Sequence, residues 1–273
     1  MSKISRVRGR GRSKSPDSLL HHDWCKRLKA KRTFSSWESG IASFDIRLSC
    51  TDFLGYNLST MVITHHGGQC FKVTLGDLTL VFDPISKKGT LPAVRFGADI
   101  ALVSRNHPDM NGVEEVSLGA KEPFVISGPG EYEKNGVTIQ GFLTKSEYAL
   151  GKGEQEAMNT VYAVNLEGMT LVHLGAMSDP MLSQEAREAI DEIDVLFVPV
   201  GGDGVLDAAA ASKLAVTLEP RIIVPMHWSG MGEAKALEHY LKEEGGEAEK
   251  VEKLTLKKKD AAEKNGAIIV ITA

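Results

Sequence analysis

Residues 100–113 have the sequence Ile100-Ala101-Leu102-Val103-Ser104-Arg105-Asn106-His107-Pro108-Asp109-Met110-Asn111-Gly112-Val113, and they are the most informative part of the chain. The first four residues are apolar and predict a short buried strand. After that strand, His107 and Asp109 can direct an imidazole and a carboxylate to one spot beyond its carboxyl end. Open α/β sheets place their sites at that end. The stretch therefore predicts a strand followed by a functional turn.

Five further segments resemble motifs of a known family, and they occur in the family's order. With the 100–113 stretch they resemble the metallo-β-lactamase-fold hydrolases, in the branch that includes L-ascorbate-6-phosphate lactonase. Each segment alone is a weak motif, but together they cover roughly residues 61–273. They are MVITHHGGQCF at 61–71, LTLVFDP at 78–84, VHLGA at 172–176, FVPVGG at 197–202 and IIVPMHW at 222–228.

The resemblance implies a zinc site, and the ligand positions can be compared with this chain. The family pattern requires His at 105, 107, 110 and near 146, Asp at 109 and 176, and His at 227. Three of these seven are kept, namely His107, Asp109 and His227. The other positions hold Arg105, Met110, Ser146 or Glu147, and Ala176.

The remaining ligands are few for zinc chemistry. A catalytic zinc takes about three protein ligands and a water molecule, and a guanidinium cannot ligate a cation. We therefore expect no cofactor and a degenerate active site. If the family chemistry is retained, zinc would bind through His107, Asp109 and His227, which we expect to converge at one end of the sheets.

Arg105 suggests a replacement for the metal. Asp109 and Asp83 would be costly as buried carboxylates without a counter-charge. We expect the Arg105 guanidinium to take the volume of the ion and to form a bidentate pair with Asp109, a geometry that Arg favours. The alternative is that Arg105 points to solvent, as Arg mostly does.

Three functions remain open. The first is a lactonase-like hydrolase fold that is inactive or metal-independent. If it is active, the candidates for water activation are His107, Asp109 and His227, with Asp109 as the base, His227 as its partner and Arg105 as the oxyanion stabiliser. The second is a non-enzymatic binding module for a small anion or a protein. The third is a one-metal hydrolase of an ester, lactone or phosphoester, with Glu147 or His66 completing the set of His107 and His227. The fold does not name a substrate.

A second group of residues is predicted to bind the ligand. Gly201 and Gly202 precede a helix expected to start at Asp207, and helix amino termini attract anions. Glu131 follows a Gly-Pro-Gly turn and would face the cleft. Trp228 would wall the pocket or pack in the core. Asp83 completes this group, and we expect a small-molecule ligand.

Charge divides the chain at about residue 60. Residues 1–60 carry twelve Lys or Arg against five Asp or Glu, and the remaining residues carry twenty against thirty-one. The basic, Gly/Ser-rich opening predicts a disordered tail. We interpret the tail as an over-extended gene start, because Met61 precedes the first strand directly; a nucleic-acid-binding arm is the alternative.

Residues 61–273 predict a single domain with short strands first and helices later. This order fits an αβ/βα sandwich of two sheets with outer helices. Three widely spaced cysteines and the lack of a 20-residue apolar span predict a cytoplasmic protein without membrane contact. The predicted strands are 62–64, 70–74, 78–82, 100–104, 124–127, 137–142, 160–165, 170–174, 195–200, 222–225 and 267–271, and the helices are 184–193, 207–218 and 233–244.

Overall fold

A computed structural model describes residues 60–272 of the chain. The predictions for the basic tail, including its nucleic-acid role, fall almost entirely outside that range and remain predictions. Within the range, no helix is long and apolar enough to cross a membrane.

The first sheet has six strands in the order β13-β1-β2-β3-β4-β5. Strands β1, β2 and β3 form an antiparallel meander, and β3, β4 and β5 run parallel. In β1 every second residue is fully buried, whereas all three residues of β4 are buried. The strands are β1 (Met61–His65), β2 (Phe71–Leu75), β3 (Leu78–Phe82), β4 (Ile100–Leu102), β5 (Phe124–Ile126) and β13 (Leu254–Leu256).

The second sheet has eight strands in the order β12-β14-β11-β10-β9-β8-β7-β6. Strands β6 to β9 are antiparallel, and β9, β10, β11 and β14 run parallel. Every residue of β10 and β11 is buried, as in parallel strands covered on both faces. The strands are β6 (Gly130–Lys134), β7 (Val137–Ser146), β8 (Ala157–Leu166), β9 (Met169–His173), β10 (Val195–Pro199), β11 (Ile222–Met226), β12 (Glu249–Val251) and β14 (Ala267–Ile271).

Between residues 60 and 272, the structure has four α-helices and a 3-10 helix at Val113–Val116. The Ser183 hydroxyl and the Asp207 carboxylate cap the first two helices by accepting from the backbone N–H three residues later. The helices are α1 (Gln184–Ala189), α2 (Ala208–Leu218), α3 (Ala236–Glu243) and α4 (Lys258–Ala262).

The core lies between the two sheets. Phe71 and Phe82 of the first sheet meet Phe197 of the second at ring-centroid distances of 4.6 and 5.7 Å. A smaller cluster, which includes Val81 and Ala101, lies on the other face of the first sheet. Burial on both faces explains why β4 is apolar throughout.

The predicted αβ/βα sandwich is confirmed, and the differences from it are local. Strands β6, β12 and β13 and helix α4 were not predicted; β6 has the sequence GEYEK, which lacks apolar alternation. The last predicted helix begins at Ala236 rather than at residue 233. Lys235 has a left-handed backbone, and the N–H of Glu233 is bonded to the carbonyl of Gly201, so this segment is a loop.

Candidate functional site

Asp83 holds the turn that follows β4 in place. Its two carboxylate oxygens accept from the backbone N–H and the hydroxyl of Ser104, both at 2.7 Å. Burial raises the pKa of Asp83 to about 7, although the bonds from Ser104 oppose that shift. Because Asp83 is fully buried and engaged by Ser104, it positions the turn and does not face a ligand.

Arg105 is buried, but its partner differs from the predicted one. The guanidinium donates to the hydroxyl of Ser146 at 3.1 Å, to the carbonyl of Tyr148, and to the carbonyl of Ala149 at 3.5 Å. It therefore neither pairs with Asp109 nor points to solvent. Two backbone carbonyls of the loop after β7 satisfy it, and these acceptors leave no trace in the sequence.

Asp109 is satisfied by neutral donors instead of by Arg105. The hydroxyl of Tyr148 donates to Oδ2 at 2.8 Å. The backbone N–H and the hydroxyl of Thr90 both donate to Oδ1. The Nδ1 atom of His107 lies 3.4 Å from Oδ2. Three donor groups therefore hold the carboxylate, which is 1% exposed, and Nδ1 of His107 accepts from the backbone N–H of Asp109 at 3.3 Å.

Tyr148 is the residue around which the predicted site residues gather. Its ring is nearly perpendicular to the rings of His107 and His227, with centroid distances of 5.3 and 4.9 Å. Burial and the contact with Asp109 raise the pKa of the Tyr148 hydroxyl, which keeps it protonated as a donor. The structure therefore brings His107, Asp109 and His227 together, with an aromatic side chain in contact with all three.

Sequence reasoning missed Tyr148 because it searched position 146 and its neighbour for metal ligands. The available signal was an aromatic residue two positions past Ser146, in the segment where the family pattern requires a His. Gln69, the hydrogen-bond partner of His227, was also missed. The side-chain nitrogen of Gln69 lies 3.0 Å from Nδ1 of His227.

His227 has an unusual environment for a histidine. Its φ of 60° places it in the left-handed region, and it is fully buried. Burial lowers its pKa to about 4, so it is neutral near pH 7. The Nε2 atom of His227 and the Oε1 atom of Gln69 have no hydrogen-bond partner among the described residues.

Apolar side chains occupy the other expected ligand positions. Met110 and Ala176 are both fully buried, and they form a cluster with Tyr148 and Val205. A thioether and a methyl group therefore stand where the family pattern requires an imidazole at position 110 and a carboxylate at position 176.

Gly201 and Gly202 lie beside His227, and the contacts that they make are within the protein. A Cβ on Gly201 would lie 2.0 Å from the carbonyl oxygen of His227, so the glycine permits close approach of the two strands' ends. The N–H of Gly202 bonds to the carbonyl of Leu206, and the amino terminus of α2 is capped by Asp207. These donors are already used within the protein.

Glu131 and Trp228 also lie outside the predicted cleft. Glu131 is exposed on the edge strand β6, where it accepts from Gln140 at 3.4 Å. Trp228 is partly buried, packs against the main core and donates to the carbonyl of Pro225. Neither side chain bonds or stacks with His107, Asp109 or His227. The structure therefore does not place them in the predicted cleft.

Three further histidines, His65, His66 and His173, pack against aromatic side chains. His173 is fully buried, stacks on Phe82 at 4.7 Å, and has partners for both ring nitrogens. His65 stacks on Phe71 and lies near the carbonyls of Ile271 and Gly68. His66 lies against the ring of Phe96.

The donor set does not fit a zinc ion as these side chains are placed. Among residues 60–272, no group of three or more His, Cys, Asp or Glu residues is arranged to hold a metal. The one-metal set of His107, His227 and either Glu147 or His66 is therefore not assembled. Among the retained donors, Asp109 accepts from the hydroxyl of Tyr148, and the rings of His107 and His227 both contact the Tyr148 ring.

Comparisons with known proteins agree with this fold. A family model described as the beta-lactamase superfamily domain matches residues 62–227. A UPF0173 metal-dependent hydrolase from Lysinibacillus sphaericus is 26% identical over 200 residues, which cover 62% of this chain and 86% of the relative. A UPF0173 protein from Pyrococcus furiosus is 32% identical over 190 residues, covering 64% and 86%.

A solved structure has a similar fold. A Thermotoga maritima protein assigned to the Zn-dependent hydrolases of the metallo-β-lactamase superfamily has a TM-score of 0.61 and 28% identity. The match covers 78% of this chain and 100% of that one.

Proposed function

The chain belongs to the metallo-β-lactamase-fold hydrolase superfamily, and from that premise we propose that it is a metal-independent member whose zinc centre has been replaced by Tyr148 and Arg105. The observation that carries the proposal is the contact of the Tyr148 side chain with His107, Asp109 and His227. Zinc requires its ligand atoms to converge at about 2.0–2.2 Å from one point. A six-membered ring between the donors prevents that convergence.

Electrostatics support the same conclusion. The guanidinium carbon of Arg105 lies 5.9 Å from the centre of the Tyr148 ring. A fixed positive charge at this distance disfavours a second cation in the space beside it. The charge also ties the Tyr148 backbone in place, so one residue both opposes metal binding and stabilises its substitute.

The predicted acid–base mechanism lacks its geometry in this arrangement. Asp109 is bonded to Tyr148 and Thr90, and His227 is paired with Gln69. Arg105 is committed to loop carbonyls. We therefore assign no hydrolytic step to these side chains. We still propose that the protein binds a small molecule, but not as a substrate for zinc chemistry.

Metal analysis of the purified protein tests the proposal. We expect well below one zinc per chain after dialysis against zinc-containing buffer, and no EDTA-sensitive hydrolysis of a p-nitrophenyl ester. Stoichiometric zinc, or esterase activity that EDTA removes and zinc restores, would overturn it.

A set of variants tests whether zinc is excluded by the missing ligands or by the Tyr148 side chain that fills the space. The triple variant Arg105→His, Met110→His and Ala176→Asp restores ligands but keeps Tyr148, and we expect little gain in zinc. Adding Tyr148→Ala should raise the zinc content clearly. Tyr148→Ala alone is the control, since it opens the space without restoring ligands.

A further inference from the structure

We infer that the loop at residues 147–156 is a plug that opens as a unit, and that the opened site binds a small aromatic alcohol in place of the Tyr148 side chain. The inference rests on the proposed function, because Tyr148 can fill the site only if no metal is there. It adds a ligand class and a movement that the closed site alone does not specify.

The plug has a rigid base. Strands β7 and β8 pair through nine consecutive residue pairs, and the last of these is Ser146 with Ala157. The ten residues between them form a hairpin loop whose two ends are held next to each other. The loop can therefore leave the site without breaking the ladder of either strand.

The loop itself is held by few contacts. The N–H of Glu147 donates to the carbonyl of Gly204 at 3.1 Å, and the N–H of Tyr148 donates to the hydroxyl of Ser146 at 3.2 Å. The remaining hydrogen bonds to the domain are those of Arg105 with the carbonyls of Tyr148 and Ala149 and of Tyr148 with Asp109. Glu156 also pairs with Lys145 of β7 at 2.6 Å, at the base of the hairpin. Residues 151–156 are exposed, and they include Gly151 and Gly153. Only the Tyr148 side chain is buried in the domain.

The closed state leaves polar atoms unsatisfied. The Nε2 atom of His227 and the Oε1 atom of Gln69 are buried without partners among the described residues, and a buried polar atom without a partner costs stability. Ala149 also adopts a left-handed backbone with φ of 45°. Opening the plug uncovers the His227 face that Tyr148 covers and releases the backbone at Ala149.

The contacts of Tyr148 define what can replace it. The ligand must donate a hydroxyl to Oδ2 of Asp109 and place a ring nearly perpendicular to the rings of His107 and His227. Met110, Ala176 and Val205 provide the apolar side of the same space. These requirements describe an aromatic alcohol, for which p-cresol is the simplest probe because it reproduces the tyrosine side chain.

Hydrogen exchange on the full chain tests both parts of the inference. Local opening exposes amides without global unfolding, so the amides of Glu147 and Tyr148 should exchange at least about tenfold faster than that of Val161 in β8. Millimolar p-cresol should accelerate exchange at Glu147 and Tyr148 further, because it captures the open form, and should leave Val161 unchanged. Equal exchange at these three amides, or loop amides that p-cresol leaves unchanged or protects, overturns the inference.

Variants give a second readout. Tyr148→Ala should gain thermal stability with p-cresol and clearly less with toluene, which lacks the hydroxyl. Tyr162→Phe, a change at another buried tyrosine, should respond to neither. Equal responses of Tyr148→Ala to p-cresol and toluene would remove the assigned ligand class. Zinc is measured on the same samples: metal-free protein without local opening contradicts this inference alone, whereas stoichiometric zinc contradicts the proposed function.

Discussion

The hydroxyl of Tyr148 donates a 2.8 Å hydrogen bond to Oδ2 of Asp109. This bond joins the hairpin loop between β7 and β8 to the turn after β4. Arg105 makes the reciprocal connection, because it belongs to the turn and donates to carbonyls of the loop. The two loops of the candidate site are therefore cross-linked by side chains of the chain itself.

Tyr148→Phe should lower the free energy of unfolding by about 1–3 kcal/mol, because it leaves a buried carboxylate oxygen without one of its donors. The ring and its contacts with the histidines are kept, so the loss reports the hydroxyl alone. Urea unfolding followed by circular dichroism measures it. A variant as stable as the parent would show that Asp109 does not depend on this bond.

Arg105→Met should destabilise the protein by about 1–3 kcal/mol, because the carbonyls of Tyr148 and Ala149 lose a charged donor. Arg95→Met is the matched control, since Arg95 is exposed, and exposed substitutions usually change stability by less than about 0.5 kcal/mol. Thermal melts of both variants provide the comparison. Equal small effects would mean that the guanidinium does not hold the loop.

Gly201→Ala should be strongly destabilising, because its Cβ would lie 2.0 Å from the carbonyl oxygen of His227. Overpacking of this kind costs about 1–3 kcal/mol or more. Gly128→Ala is the control, since a Cβ there meets nothing within 4 Å and its φ is not positive. If the two alanine variants melt at the same temperature, Gly201 does not serve close packing.

The sequence predicted the two-sheet sandwich and the meeting of His107, Asp109 and His227 because ordered family motifs carry that information. It did not predict the partners of Arg105. The need to neutralise buried carboxylates predicted that the guanidinium would be buried. Every residue has a backbone carbonyl, so the sequence does not mark which carbonyls accept from Arg105. Charge arguments therefore favoured Asp109 as the partner.

Tyr148 and β6 were missed for different physical reasons. Tyr148 acts through its shape and one hydroxyl, whereas the search near position 146 looked for residue types that bind metal. Strand β6 lies at a sheet edge with four of its five residues exposed, so it has no need for the apolar alternation that identifies half-buried strands. Its pairing with β7 is set by the Asn135-Gly136 turn, where both residues have positive φ.

Stability should depend on pH through Asp83. Burial raises the folded-state pKa of Asp83 to about 7, whereas an unfolded Asp titrates near about 3.9. Between these values the folded state binds more protons, so the free energy of unfolding falls as pH rises, by up to about 1.4 kcal/mol per pH unit. Neighbouring His173 supplies no compensating charge, because burial lowers its pKa to about 3.

Asp83→Asn removes this titration and keeps an oxygen that can accept from the N–H of Ser104. We expect its stability relative to the parent to rise by up to about 4 kcal/mol from pH 4 to pH 7, and to change little above pH 8. Urea midpoints of both proteins at pH 4, 5.5, 7 and 8.5 measure the difference, in which the contributions of the buried histidines largely cancel. A difference that stays constant with pH would show that the Asp83 carboxyl titrates normally in the folded protein, and its burial beneath the turn would then not carry an electrostatic cost.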